Sequence, residues 1–452
     1  MSDRVIKGGW VVSPVGVLQC DLLITAGKIE NIVPWGTESE GNVMDATGLH
    51  VLPGGIDTHV HFNEPGHTDW ETIANGSAAL AAGGYTSFFD MPLNSLPVTV
   101  DVESFDAKLG ALSASSVLDF GIWAGLVPGN LDHIEALVQR GAMGFKAFMC
   151  PSGLDQFPAC DERTLREGMR RIAAIGSILL VHAEDPAIVD ALSRRAIAGG
   201  RTSAIDFVRS RPPAAEIEAI KRAISLAGET DCHLHIVHVS TAEGMRLIQE
   251  ANGNGVNVSG ETCPHYLLYT EDDVERLGSL GKCAPPIRSA PDQEAMWRYV
   301  LEDPRAMVVS DHSPCAPELK LGDDFFKLWG GIAGCQTTRQ LLLAESERRS
   351  ITPLRVAEVT AANMLIPFAL KGKGRITPKA DADLWLVDLS HEAVLRQSDL
   401  KYRHQSSAHV GKTLRGRTVM TIVRGETVFF DGREVAIKSG RMIRPDWYWV
   451  RP

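Results

Sequence analysis

The 452-residue sequence lacks the features of a membrane protein, a disulfide-rich secreted protein and a nucleic-acid-binding protein. No run reaches the ~20 apolar residues that a membrane span needs, and the start, MSDRVIKGGWVV, has no apolar stretch typical of a signal peptide. The eight cysteines form no CxxC pair, which is typical of reduced cytosolic thiols. The net charge of -11 disfavours nucleic acid and acidic membrane surfaces as partners. We therefore expect a cytoplasmic protein that binds neither.

Short strand-like segments with turn residues occupy both ends of the chain, at residues 4–50 and again from DADLWLVDL through EVAIK. The middle alternates helix-like stretches with eight strand candidates: GGIDTHVHF, GYTSFFDMP, LDFGIWAGLV, MGFKAFM, SILLVHAE, HLHIVHVS, GVNVSGET and AMVVSDHS. Parallel strands joined by helices favour an α/β fold, a (β/α)8 TIM barrel with a small β-sandwich formed by both termini. The expected domains are 1–52 and 373–452 for the sandwich and 53–372 for the barrel.

Polar residues occur where these strand candidates end, which is where the active site of such a barrel lies. His59 and His61 are two residues apart, so on a strand both imidazoles face one side and can chelate one cation. Hydrogen bonds in the core or at the rim are the alternative role for such a pair. Ligand types at the other strand ends favour the metal interpretation.

Lys146 is unusual because it lies in GAMGFKAFMC, an apolar run that should form a buried strand. An unpaired buried ammonium is costly, so this lysine must be paired or chemically altered. Either it extends to the rim or pairs with an acid, or it is a neutral amine that acts as a nucleophile, base or ligand. The spacing leaves both roles open.

Three further strand ends carry candidate ligands, His182, His238 and Asp311. Each histidine alone is as readily explained as a hydrogen-bonded core residue. Asp311, in SDHSP, is either a helix cap or a metal ligand and general base that takes a proton from metal-bound water. His265 and His312 are left outside the metal set, as neighbours of the site.

The whole candidate set exceeds what one tetrahedral ion needs. We therefore expect two adjacent divalent cations sharing a bridge, an arrangement that produces a hydroxide able to attack a carbonyl at neutral pH. Imidazole and carboxylate ligands suit Zn, the expected metal, and also Mn, Co, Ni or Fe.

The motifs GGIDTHVHFNEPG, GFKAFM, VHAED, HIVHVS and SDHSP resemble, in order and spacing, those of the cyclic amidohydrolases of the amidohydrolase superfamily. The resemblance covers essentially the whole chain. It implies that CO2 carboxylates Lys146 to N6-carboxylysine, which bridges the two metal ions. His59, His61 and Asp311 would then hold one ion, and His182 and His238 the other. It also implies a homo-oligomer, a tetramer as in other members.

Within this family, EPGHTDWE, MPLNSLPVT, KCAPPIR and WGGIAGCQ are most similar to the branch that opens the hydantoin ring of (S)-allantoin in purine and ureide catabolism. Asn63 stands where dihydroorotases usually carry an arginine for the substrate carboxylate, so a small-molecule ureide without a carboxylate fits better. Pro151 stands where hydantoinases usually place a tyrosine.

We expect Asn63, Asn94 and backbone groups around Cys283, Ala284 and Gly334 to orient the ureide. Asn94 is equally explained as a turn residue. Two alternatives stay open for the whole protein. One is a related enzyme, a hydantoinase, dihydropyrimidinase or dihydroorotase. The other is a non-catalytic scaffold, which the complete ligand set disfavours.

Overall fold

The computed structural model describes residues 3–435 and 439–446 of the chain. Its strands are β1 (Arg4–Ser13), β2 (Gly16–Thr25), β3 (Lys28–Pro34), β4 (Asn42–Asp45), β5 (His50–Pro53), β6 (Gly55–Val60), β7 (Tyr85–Asp90), β8 (Asp119–Ile122), β9 (Ala124–Gly125), β10 (Phe145–Phe148), β11 (Ile178–His182), β12 (His233–Ile236), β13 (Val258–Gly260), β14 (Leu384–Val394), β15 (Thr413–Val423), β16 (Glu426–Phe430) and β17 (Arg433–Glu434). The expected strand EVAIK runs into residues 436–438, which lie outside the described residues.

The α-helices occur mainly between the strands of the middle segment and after them. They are α1 (Ile73–Ala82), α2 (Val102–Ser115), α3 (Ile134–Arg140), α4 (Glu162–Ala174), α5 (Pro186–Ala198), α6 (Ala204–Ser210), α7 (Pro213–Thr230), α8 (Ala242–Gly253), α9 (Pro264–Leu268), α10 (Glu271–Leu277), α11 (Ala290–Glu302), α12 (Thr338–Ala344), α13 (Ser346–Arg349) and α14 (Pro353–Thr360). Within the described residues, no helix combines the length and the apolar character needed to cross a membrane.

The two ends of the chain share one sheet, in the order β17-β16-β15-β14-β5-β1-β2-β3, with β4 paired to β1. The ends meet at the antiparallel pair β5–β14, in which Leu52 lies opposite Trp385. Val11, Leu22 and Leu386 belong to the hydrophobic cluster of this sheet. The terminal strands therefore form one β-rich unit, and its division into the two layers of a sandwich stays a prediction.

The middle segment contains two sheets of parallel strands, β6-β7-β8 and β9-β10-β11-β12-β13. Only Trp123 separates β8 from β9. Strands β6 and β7 are buried along their whole length, as expected for parallel strands covered on both sides. The helices cover them with apolar faces: in α4, Leu165, Met169 and Ile172 are buried. The α/β character predicted for this segment is therefore confirmed.

The eighth strand candidate, AMVVSDHS, does not form a regular strand. Isolated parallel bridges join Val308 to Thr262 and His312 to Val60, so the segment lies between the last strand of one sheet and the first of the other. Between these bridges the backbone of Asp311 has φ +46°, a conformation that cannot continue an extended strand. The turn interrupts the ladder and directs Asp311 away from it.

Candidate metal centre

A cavity of about 370 Å³ opens at the carboxyl ends of the parallel strands. All six residues that the sequence predicts as metal ligands line it: His59, His61, Lys146, His182, His238 and Asp311. Three of the predicted substrate contacts, Asn94, Cys283 and Ala284, also line it. The predicted site residues thus come together from strand ends that are far apart in sequence.

Asn63 and Gly334 are not among the described residues that line this cavity. The Nδ2 of Asn63 donates a hydrogen bond to the carbonyl oxygen of Pro314 at 3.2 Å. The backbone N–H of Gly334 donates to Nδ1 of His312 at 3.1 Å. Both residues therefore contact neighbouring loops through these hydrogen bonds, and their expected contact with the ureide stays a prediction.

His59, His61 and Asp311 form the first half of the site. The Nε2 atoms of His59 and His61 lie 3.2 and 3.6 Å from Oδ1 of Asp311. Burial alone would raise the pKa of Asp311, but the neighbouring imidazoles hold it well below its usual value. The carboxylate is therefore ionised, and it faces two imidazole nitrogens.

The contact of Nδ1 indicates which nitrogen of His59 carries the proton. Nδ1 lies 2.6 Å from Oε1 of the buried Glu261. Burial would raise the pKa of Glu261, but the imidazoles of His235 and His59 lower it to about 2. An ionised carboxylate only accepts hydrogen bonds, so Nδ1 of His59 carries the proton. Burial lowers the pKa of His59, against the attraction of Asp311 and Glu261, and in the neutral ring Nε2 presents a lone pair towards Asp311.

His182 and His238 form the second half. Nδ1 of His182 lies 3.1 Å from Nε2 of His238, and Nε2 of His182 lies 2.8 Å from Oε2 of Glu184. Burial would raise the pKa of Glu184, but the charge of Arg211 and the hydrogen bond of His182 lower it to about 2. The ionised Glu184 thus takes the Nε2 proton of His182 in a hydrogen bond and leaves its Nδ1 lone pair directed at His238.

Lys146 lies on β10 and lines the same cavity as both halves of the site. Its side chain is buried, and Nζ has no hydrogen-bond partner in the described part of the chain. Burial lowers the pKa of this amine to about 7, against the attraction of Asp311 and Glu261. No described side chain therefore forms a hydrogen bond with this amine, which lies 5.1 Å from the ring centre of Phe148.

These donors fit divalent cations. Donor atoms of His59, His61 and Asp311 lie within 4.8 Å of one another. Lone pairs that face each other across 3.2 Å repel unless a positive charge lies between them. Neutral imidazoles and carboxylates are ligands that suit such an ion.

The sequence interpretation missed Glu184, Arg211 and Glu261. Glu184 follows His182 by two residues, and Glu261 lies just beyond β13, so an acid at the end of a parallel strand was the available signal. Arg211 also lines the cavity, but its guanidinium is ion-paired with Glu184. The separation of Arg211 and Glu184 in the sequence gives no indication that they form an ion pair.

The cavity wall away from the candidate ligands is partly apolar. Pro151, Phe207, Phe326 and Trp329 contribute to it. Pro151 lacks the phenol group that a tyrosine would place at this position, as expected from the sequence. Nδ2 of Asn94 donates to Oγ of Ser313 at 3.4 Å, and both side chains line the cavity.

The sequence profile of the amidohydrolase family matches residues 50–428. The chain is 50% identical to a protein named allantoinase from Rubrobacter xylanophilus, over 98% of both chains. It is 46% identical to the allantoinase of Desulfitobacterium hafniense strain Y51, over 98% of this chain and 99% of that one.

Solved structures resemble the whole chain as well. An L-hydantoinase (dihydropyrimidinase) from Arthrobacter aurescens matches with a TM-score of 0.94 at 32% identity, over 98% of this chain and 100% of that one. A dihydropyrimidinase from Brevibacillus agri matches with a TM-score of 0.90 at 28% identity, over 98% of each chain. The β-rich unit and the parallel strands therefore belong to one known architecture.

Proposed function

The chain belongs to the amidohydrolase family, and we propose that it opens the hydantoin ring of (S)-allantoin to give allantoate. Water adds across a ring amide: the C–N bond breaks, the carbonyl carbon becomes the carbon of a carboxylate, the ring nitrogen gains one proton of the water, and the other proton is released. One observation carries this proposal: the six predicted ligands meet in a single cavity, in a chain that is 50% identical to an allantoinase over 98% of both lengths.

The family uses a divalent metal centre, and the residue set here suits two ions. His59, His61 and Asp311 would hold one, and His182 and His238 the other. When bound, such ions acidify water and polarise a carbonyl oxygen. Zn is the metal we propose, with Mn, Co, Ni or Fe as alternatives that share these ligands.

Lys146 would bridge the two halves after reacting with CO2. Its amine nitrogen would form a bond to the carbon of CO2 and release a proton, which gives N6-carboxylysine. The unpartnered Nζ supports this modification, because the product is an anion that two cations would pair.

Asp311 is the residue we assign to proton transfer. Its carboxylate reaches into the cavity beside His59 and His61, so it can take a proton from the attacking water and deliver it to the departing ring nitrogen. Asn94 and backbone groups of Cys283 and Ala284 would orient the ring and its ureido group from the opposite wall.

The substrate choice agrees with the charges of the wall. Apart from Lys146, the cationic side chains that line the cavity among the described residues already have partners: Arg211 is paired with Glu184, Lys327 with Asp324, and Nζ of Lys282 donates to the carbonyl oxygens of Phe326 and Leu328. A substrate carboxylate would have to compete with these contacts, whereas the neutral ureide would not.

For the fold, we propose that the two parallel sheets and the segment around Val308 close into a (β/α)8 barrel. The bridges at Thr262–Val308 and Val60–His312 support closure. The terminal sheet supports domain limits near 1–52, 53–372 and 373–452. The tetramer and the cytoplasmic location stay predictions, and light scattering after size exclusion would test the first.

A substrate panel tests the function. Metal-reconstituted protein should hydrolyse (S)-allantoin faster than hydantoin, dihydrouracil or dihydroorotate, as measured by kcat/KM at one pH. The highest kcat/KM on another of these rings would replace the proposed substrate. No turnover on any ring, with two metal ions bound, would leave the scaffold alternative.

A further inference from the structure

Glu261 is a fully buried carboxylate between the parallel strands, and the proposed reaction gives it no task. It lies just after β13, and its exposed fraction is 1%. A buried carboxylate is costly unless its partners compensate for the lost hydration. Its contacts therefore indicate why an ionised group lies there.

The two carboxylate oxygens of Glu261 contact different neighbours. Oε1 lies 2.6 Å from Nδ1 of His59. Oε2 lies 3.2 Å from Nε2 of His235 and accepts a hydrogen bond from Oγ1 of Thr58 at 3.3 Å. Nδ1 of His235 in turn lies 2.8 Å from Oγ of Ser259. A chain of buried polar groups thus leads from Ser259 to His59.

The contact between Glu261 and Nδ1 of His59 determines whether Nε2 of His59 presents a lone pair or an N–H to the cavity. A neutral imidazole carries one N–H, and either nitrogen can hold it. With the proton on Nε2, His59 would direct a hydrogen towards Asp311 and could not bind a cation there. A carboxylate at Nδ1 only accepts hydrogen bonds, so it selects the form with a free Nε2 lone pair.

We propose that Glu261 is a positioning residue that fixes the ring orientation and tautomer of His59, and that His235 holds Glu261 in place for this purpose. The inference rests on the proposed function, since it concerns the metal site of that reaction. A purely structural role predicts a lower melting temperature when the charge is removed, since breaking a buried ion pair is destabilising, whereas a positioning role predicts weaker metal binding.

Glu261→Gln tests the proposal because the amide has the same shape but no charge. It can present either its oxygen or its NH2 to Nδ1 of His59, so the selection of one tautomer is lost. We expect a Co²⁺ titration of the metal-free protein, followed by visible absorption, to show dissociation constants raised about 10- to 100-fold. The melting temperature of the metal-free variant should stay near that of the wild type.

Glu216→Gln is the matched control. Glu216 is also a buried carboxylate, with an exposed fraction of 2%, but its hydrogen bonds come from Ser240 and Thr241. We expect its Co²⁺ dissociation constants to stay within about threefold of the wild-type values, a difference well below 1.4 kcal/mol. Co²⁺ affinity lost equally in both variants would indicate general damage to buried carboxylates and would overturn the proposal.

Unchanged Co²⁺ affinity in Glu261→Gln would also overturn it. If that variant is recovered only unfolded, Glu261→Asp decides, since it keeps the charge but is one methylene too short to reach both imidazoles. Weaker Co²⁺ binding supports the proposal, and unchanged binding refutes it. A wild-type protein that binds no Co²⁺, or binds it without opening allantoin, would instead refute the proposed function, so the two failures are distinguishable.

Discussion

Replacing Asp311 with asparagine separates metal binding from proton transfer. The side chain keeps its shape and an oxygen that can face Nε2 of His59, which lies 3.2 Å from Oδ1 in the native protein. It loses the charge and the ability to take a proton. We therefore expect Asp311→Asn to bind two metal ions at saturating Zn²⁺ and to lose most of its turnover.

The size of the loss follows from the role assigned to the carboxylate. General acid–base catalysis by a positioned side chain contributes about 10²- to 10⁴-fold. At about 1.36 kcal/mol for each factor of ten, this corresponds to about 2.7 to 5.4 kcal/mol in the activation free energy. KM should change much less than kcat, since the neutral substrate does not depend on this charge for binding.

The assay is (S)-allantoin hydrolysis at saturating substrate, with bound metal counted by elemental analysis of the same sample. Asp303→Asn is the matched control, because Asp303 is a buried carboxylate that accepts hydrogen bonds from Gln249 and Arg305 and does not line the cavity. It should retain wild-type kcat. Turnover of Asp311→Asn within tenfold of the wild type, with both metals present, would remove Asp311 from proton transfer.

Three further outcomes follow from buried charges. Lys146→Ala should lose metal and activity, and acetate or propionate should restore part of both by supplying a carboxylate in the vacated space, as measured by metal content and allantoin turnover. Lys373→Met should lower the free energy of unfolding by about 3–5 kcal/mol in urea denaturation, because Nζ lies 2.6 to 2.9 Å from Asp119, Asp381 and Asp383. Burial alone would lower the pKa of Lys373, but the three aspartates raise it. Burial alone would raise the pKa of Asp381, but Lys373 lowers it. The stability difference between wild type and this variant should therefore shrink as the pH falls and the aspartates take up protons, Asp383 first because burial raises its pKa, and shrink as the pH rises through the pKa of Lys373.

The positions of the candidate ligands could be predicted because they depend on short-range patterns. Apolar runs of strand length end at His59 and His182 and contain Lys146, and parallel strands place their carboxyl ends on one side. This prediction requires the direction of each strand but not the identity of the strands beside it. The cavity accordingly contains every ligand predicted from a strand end.

The course of the sixth strand could not be predicted in the same way. Strict alternation places His233 and His235 on one face and His238 on the other, but β12 ends at Ile236 and His238 has φ +37°. This conformation is unfavourable for a residue with a side chain, so tertiary contacts must impose it. It turns His238 towards His182, whereas His235 stays in the core.

Glu261 escaped prediction because its role depends on register between strands. His235 lies opposite Ser259 in the β12–β13 pair, which places Glu261 beyond the end of β13 and within reach of β6. Its partner His59 is 202 residues away in sequence. No periodicity in the sequence encodes that distance; it follows from the bridges Thr262–Val308 and Val60–His312, which place the ends of β13 and β6 beside the same segment.

Substrate choice must then arise outside the metal ligands. A hydantoinase shares this architecture at a TM-score of 0.94 and 32% identity, so the scaffold alone does not distinguish one cyclic amide from another. Phe326 and Trp329, which line the cavity, belong to a loop that Lys320 stabilises through hydrogen bonds. Its Nζ donates to the carbonyl oxygens of Ser279, Trp329 and Gly331 at 2.8 to 3.0 Å. Because these bonds use all three protons of the ammonium, the loop has a defined shape before substrate arrives. We therefore expect the ring to be selected by its fit to this preformed surface, while proton transfer is assigned to Asp311.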